Sequence, residues 1–176
     1  MIGVQVDAIE RGEDRTAFKE TMDKLGIGMP RSRSAYSVDE AEEIAMELGF
    51  PLVVRPAYTL GGTGGGRVYN IEELRTIVSR GIAASMVGQV LIEEYLVGWE
   101  ELEIEVVRDS KNQMIAVCFM ENVDPLGIHT GDSFCVAPML TINRELQNRL
   151  QKYAFEIVEA IQVIGGTNVQ FAHDPV

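Results

Sequence analysis

The stretch Glu101-Leu102-Glu103-Ile104-Glu105-Val106-Val107-Arg108-Asp109, continued by Ser110-Lys111-Asn112-Gln113 and then by Met114-Ile115-Ala116-Val117-Cys118-Phe119-Met120, decides the fold. Its first part alternates strictly. Leu102, Ile104 and Val106 fall on one face of a strand, and Glu101, Glu103 and Glu105 fall on the other. The polar run Asp109 to Gln113 reads as a turn, and Met114 to Met120 returns as an apolar strand, so the pair is an antiparallel hairpin.

Working outward, Val90 to Tyr95 is a further strand upstream, preceded by a helix that opens at Asn70 and Glu73 and keeps Leu74, Ile77 and Val78 inside. Before it lie a brief strand through Val68 and Tyr69 and the apolar strand Pro51 to Arg55, stopped by Pro56. Ser37-Val38-Asp39-Glu40 is a capping box. The helix it opens carries Ala41, Ile44, Ala45 and Leu48 inward and ends at Gly49. Glu13 to Leu25 reads as the first helix, with Phe18, Met22 and Leu25 on one face. Downstream of the hairpin, a polar loop from Glu121 to Asp132 precedes a strand near Phe134 to Val136. A long helix follows through Leu146, Leu150, Ala154, Ile157 and Ile161. Gly165-Gly166 forms a last loop before the strand Asn168 to Ala172. Helices mixed with hairpins make this an α+β chain, not a doubly wound parallel sheet.

Composition narrows the function. The 176 residues are 46% apolar, enough for a packed core, and no internal repeat or long apolar span appears. A formal charge of −12 argues against nucleic acid and leaves room for a small anionic ligand held by local arginines and backbone amides. Two cysteines without CxxC spacing point to neither a metal cluster nor a disulfide framework, and with no leader or span the expectation is a cytoplasmic protein away from membranes. No Ser/His/Asp set and no HExxH occurs, so nucleophilic or zinc hydrolysis is unsupported.

The densest local signal is Gly61-Gly62-Thr63-Gly64-Gly65-Gly66, with five glycines in six positions. A loop that accepts that entropic cost usually needs bare backbone N–H groups close to something, most often phosphate. It lacks the Lys of a Walker A loop and joins two strands, as a flap would; a flexible hairpin tip is the plainer alternative. Arg55 ends the preceding strand, where it could hold a phosphate. Arg15 begins a helix, where the dipole disfavours a cation, and an ordinary solvated arginine fits it as well. Glu94 and Glu101 flank a strand end and could accept hydrogen bonds from an adenine amine or ribose hydroxyls, or simply be solvated. Asn122, Asp124, His129, Asp132 and Ser133 share one loop with Gly127 and Gly131, a set that suits a cation or a plain Asx-rich loop. Gln170 points outward from its strand between Val169 and Phe171, where its amide oxygen could ligate Mg²⁺. His173 reads as an ordinary surface histidine.

Glu13-Asp14-Arg15, Arg55-Pro56, the Gly61–Gly66 loop, Leu91-Ile92-Glu93-Glu94, the run from Glu101 to Asp109, Glu121-Asn122-Val123-Asp124, Gly127-Ile128-His129-Thr130-Gly131-Asp132-Ser133 and Gly166-Thr167-Asn168-Val169-Gln170-Phe171 together resemble the carbamoyl phosphate synthetase large subunit, in order and over essentially the whole chain. The chain resembles the first, carboxyphosphate-forming half. The resemblance implies an ATP-grasp fold: a tail of a preceding domain at 1–12, a small lobe with the glycine-rich flap at 13–90, and part of a larger antiparallel-sheet lobe at 91–176. It implies an ATP-dependent ligase phosphorylating bicarbonate. Arg15 and Arg55 would be catalytic and phosphate-binding, Gly61 and Gly62 would cover the phosphates, and Glu94 and Leu96 would meet the adenine. Glu101 would meet the ribose, and Gly127, Ile128 and His129 would line the nucleotide and substrate side. Gln170 would ligate Mg²⁺ or Mn²⁺. Glu101, Asn122, Asp124, Ile128 and Ser133 would form a K⁺ site. The implied partners are the remainder of the large subunit and a glutamine amidotransferase subunit or domain. The family's further Glu and Asn metal ligands lie beyond Val176, so the piece alone is expected to fold without turning over. A biotin carboxylase-like enzyme and an inactive nucleotide-binding module are the alternatives, the first disfavoured by Gly127 to Ser133 and by Arg at 55.

Overall fold

A computed structural model describes residues 3–59, 63–127 and 134–176. The chain divides into two compact units, one of residues up to Met29 together with Val97–Val176, the other Pro30–Leu96. These bounds differ from the division expected at 12/13 and 90/91. Packing explains both shifts. Met22 and Ile27 bury themselves in the same apolar cluster as Leu102, Ile104 and Val106, whereas Val90 and Ile92 belong to the cluster of Leu52 and Val54.

In the unit Pro30–Leu96, β1 (Ser32–Ala35), β2 (Leu52–Pro56), β3 (Gly66–Val68) and β4 (Val90–Glu94) form one antiparallel sheet in the order β1-β4-β2-β3. The helices α3 (Val38–Leu48) and α4 (Ile71–Ala84) cover one face of it. Alternation assigns the faces. Leu52, Val54, Val68, Val90 and Ile92 are buried against the helices, while Val53, Arg55, Leu91 and Glu93 point the other way. Both helices start with a reciprocal cap. Ser37 Oγ accepts from the Glu40 amide at 3.2 Å, and Asn70 Oδ1 accepts from the Glu73 amide at 3.0 Å. The returning carboxylates reach one residue further than a standard capping box. Glu40 accepts from the Tyr36 amide and Glu73 from the Tyr69 amide, at 2.8 and 2.9 Å.

In the other unit, β5 (Glu100–Arg108), β6 (Met114–Asn122), β7 (Cys135–Val136) and β8 (Gly165–His173) form a second antiparallel sheet in the order β7-β6-β5-β8. The expected hairpin is β5–β6, with a bulge after Glu105. Gly165 and Gly166, expected in a loop, already pair with Arg108 and Val107. The helix expected from Glu13 to Leu25 is α2 (Arg15–Leu25), and a helix not expected from the sequence, α1 (Val6–Glu13), precedes it. Asp14 breaks them: its extended backbone cannot continue α1, and its carboxylate caps α2 by accepting from the Ala17 amide at 2.8 Å. The long α5 (Arg144–Ile161) and α2 pack over one sheet face around Leu102, Ile104, Val106 and Val169. No helix among the described residues is long and apolar enough to cross a membrane.

Glu121, at the end of β6 on that helix-facing side, holds the approach to α5. It accepts from the Leu140 amide at 3.0 Å, the Thr141 amide at 3.2 Å and the Thr141 hydroxyl at 2.7 Å. Burial pushes its carboxyl up, but the Thr141 hydroxyl and the two amides outweigh that and hold it below the ordinary value. A carboxyl lowered in the folded state contributes stability above its unfolded pKa and loses it as pH falls through the folded one. Glu121→Gln therefore costs about 1.5 kcal/mol at pH 7, the low end for bonds to a charged acceptor. The difference shrinks below the unfolded value of about 4.3. Urea unfolding at pH 7 and about pH 3 measures it; an equal loss at both would remove the charge from the explanation.

Candidate functional site

The face of the second sheet turned away from α5 is polar, and its register brings the candidates together. Glu103 stands opposite Gln170 on β8, and Glu105 opposite Asn168. Asn122 Nδ2 donates to Glu103 Oε1 at 2.7 Å, and Asn168 Nδ2 bridges Glu103 Oε2 and Glu105 Oε1 at 2.9 Å each. Glu101 and Glu103 are buried at 8% and 4% exposure, so this is not a solvated carboxylate face. A buried charge is tolerable only when its lone pairs are met, and the two asparagines meet those of Glu103. Sequence reasoning missed Glu103 and Asn168 as site residues. The signal was available in the three carboxylates that alternation puts on one face of a strand flanked on both sides.

Gln170 is exposed on that face, as expected, and Glu101 and Asn122 share it. Asp124 is placed differently: its Oδ2 accepts from the Phe134 amide at 2.7 Å, so it ties the loop ends together. No group of three or more His, Cys, Asp or Glu side chains that could cage a metal occurs among the described residues. Gln170, exposed and with an amide oxygen, is a donor of the kind Mg²⁺ accepts, since that ion takes few protein ligands and fills its shell with water and phosphate. Ile128, His129 and Ser133 lie outside the described residues, and Gly127 borders them with φ of +98°. Arg15 is the exposed first residue of α2. His173 is not simply solvated, since Nδ1 lies 3.0 Å from Glu100 Oε2.

In the unit Pro30–Leu96, the sheet face turned away from α3 and α4 carries Arg55. Its Nε donates to Glu93 Oε1 at 3.0 Å, with the Arg55 side chain 47% exposed and the Glu93 side chain 11%. Glu94 has its carboxylate taken up by Arg31, whose backbone amide and Nε donate at 2.7 and 2.8 Å. Arg67 lies over the Tyr95 ring, 5.2 Å from its centroid. Leu96 is half-buried at the end of this unit.

Gly61 and Gly62 lie outside the described residues, but the rest of the glycine run has a second purpose. Gly64 has φ of +82°, and a Cβ there would meet Ala84 at 2.8 Å; a Cβ on Gly81 of α4 would meet Val90 at 2.9 Å. The Gly65 carbonyl accepts from Arg80 Nη2 at 3.1 Å. This end of the loop is seated on α4 at van der Waals distance, which only hydrogen in place of Cβ permits. These glycines therefore have a packing reason of their own.

A family model described as carbamoyl-phosphate synthase L chain, ATP binding domain, matches residues 14–176. A carbamoyl phosphate synthase large chain from Archaeoglobus fulgidus is 51% identical over 176 residues, covering 99% of this chain and 16% of the relative. The N-terminal section of that large chain from Methanopyrus kandleri is 51% identical over 172 residues, covering 98% of this chain and 30% of the relative. The chain thus spans less than a third of the length of these relatives. Among solved structures, the biotin carboxylase domain of Hydrogenobacter thermophilus 2-oxoglutarate carboxylase, in complex with MgADP, ADP and bicarbonate, superposes with a TM-score of 0.79. It is 23% identical and covers 99% of this chain and 39% of that one. The fold is the expected α+β ATP-grasp fold.

Proposed function

Because the chain belongs to the family of carbamoyl-phosphate synthase L chain ATP-binding domains, we propose that it forms the nucleotide site of a ligase that phosphorylates bicarbonate with ATP. Carboxyphosphate and ADP would be the products, on the way to carbamoyl phosphate. The identity with the N-terminal section of the large chain from M. kandleri carries the choice of this half-reaction.

The bicarbonate oxygen is the nucleophile, so no covalent enzyme intermediate is needed, and the protein's task is positioning and charge neutralisation. Arg15 and Arg55 bind phosphate oxygens, and the amides of Gly61 and Gly62 cover them. Glu94, Leu96 and Glu101 meet the adenosine; with the Glu94 carboxylate engaged by Arg31, that residue serves through a prearranged side chain. Gly127, Ile128 and His129 line the nucleotide and bicarbonate side. Gln170 would hold Mg²⁺ or Mn²⁺, which when bound supplies positive charge beside the β- and γ-phosphates. Glu101, Asn122, Asp124, Ile128 and Ser133 would hold K⁺. The unit Pro30–Leu96 serves as the small lobe and the other unit as part of the large one. The partners are the rest of the large subunit and a glutamine amidotransferase, and the setting is cytoplasmic. In the full-length chain, ADP release from ATP should rise on adding bicarbonate without ammonia. ADP release indifferent to bicarbonate would overturn this half-reaction.

A further inference from the structure

We infer that Glu93 is a positioning residue that aims the Arg55 guanidinium at phosphate. This rests on Arg55 being the phosphate ligand proposed above.

The geometry is specific. Register places Val53 opposite Glu93 and Arg55 opposite Leu91, so Arg55 and Glu93 are diagonal neighbours on one face, a spacing that long side chains bridge. Glu93 is buried at 8% exposure, and its carboxylate takes the Nε–H of Arg55. Guanidinium has five N–H donors in a rigid plane. One is used at the base of the fork, and no other partner of Arg55 is found among the described residues. The four donors on Nη1 and Nη2, on a side chain 47% exposed, are thereby left in the paired arrangement that suits a phosphate.

As a stabilising device alone the pair is poor. Desolvating a carboxylate is costly, and a half-exposed arginine returns little of that cost. A second acid on a phosphate-binding surface also opposes the ligand's charge. Orientation is what compensates for both: a guanidinium free to rotate about its last torsions would spend little time in the productive pose, and misplacement of about 1 Å can cost 10²-fold in rate.

The test is steady-state ATP hydrolysis by the full-length chain carrying Glu93→Ala, Glu93→Gln, Arg55→Ala or the pairs, with melting temperature recorded alongside. Glu93→Ala should lower kcat/KM for ATP about 10- to 100-fold. Glu93→Gln, whose amide oxygen can still accept the Nε–H, should recover most of it. In the Arg55→Ala background neither change should lower kcat/KM further, because the group being aimed is gone. A purely structural Glu93 would shift the melting temperature and leave kcat/KM alone, which overturns the inference. So would equal losses with and without Arg55. Should Glu93→Ala fail to fold, Glu93→Asp, whose shorter side chain draws its carboxylate back from the Arg55 Nε–H, takes its place in the two backgrounds; a loss confined to the Arg55 background supports the inference, and no loss or an equal loss in both overturns it. Normal turnover by Arg55→Ala would instead remove the phosphate assignment itself, and the inference with it.

Discussion

Arg55→Ala in the full-length chain should reduce bicarbonate-dependent ATP hydrolysis by about 10²-fold or more, the loss typical of removing one prearranged donor from a developing charge. Phosphoryl transfer spreads negative charge over the equatorial oxygens of the transferred group, and proteins stabilise it chiefly by fixed positive groups that need not reorganise. Arg55 is the last residue but one of β2, in a sheet whose other face is packed against two helices, so its backbone is held by core burial and its guanidinium by Glu93. Arg55→Lys is the sharper comparison. A lysine keeps the charge but loses the planar fork and the Nε–H to Glu93, so it should recover only a small part of the rate. Full recovery by lysine would mean that charge alone matters, and near-normal turnover by alanine would end the assignment.

What could be read from residues alone was whatever depends on local period and on short-range chemistry. The β5–β6 hairpin, the caps at Ser37 and Asn70 and the apolar stripe of α5 all follow from patterns within about a dozen residues. α1 was missed because Val6 to Glu13 is short and carries Gly12 and four charged residues, too little for an apolar period to show, whereas the cap at Asp14 moves the expected start of the next helix by only two residues. Long-range register was not legible. Nothing in Arg55-Pro56 or Leu91-Ile92-Glu93-Glu94 says that β4 aligns with β2 so that Arg55 meets Glu93, and with β1 so that Arg31 meets Glu94. The same holds for Asn168 bridging Glu103 and Glu105 across β5 and β8. The glycine run is a mixed case: its density announced close approach, but not that Gly64 makes that approach to α4.

Ile104→Ala should be among the most damaging single truncations in the chain, at about 2–5 kcal/mol. Ile104 is at 0% exposure in the middle of β5, the central strand that pairs with β6 on one side and β8 on the other. Its cross-strand partners are Phe119 and Val169, and it belongs to the cluster that Leu150, Ala154, Ile157 and Val158 of α5 close from above. Removing three carbons there forfeits their transfer from water and leaves a cavity that a sheet pinned on both sides cannot collapse. Val107, three residues on and facing the other way, is 42% exposed, and Val107→Ala should stay within about 0.5 kcal/mol. The contrast tests the face assignment itself. Because Ile104 and the Leu52–Ile92 cluster belong to separate cores, the loss should also be local. In native-state hydrogen exchange, amides of β5, β6 and β8 should lose protection in Ile104→Ala while those of β2 and β4 keep theirs. Equal loss of protection in both sheets would mean that the two cores unfold as one cooperative unit, and a small loss confined to neither would mean that Ile104 does not hold the centre of its sheet.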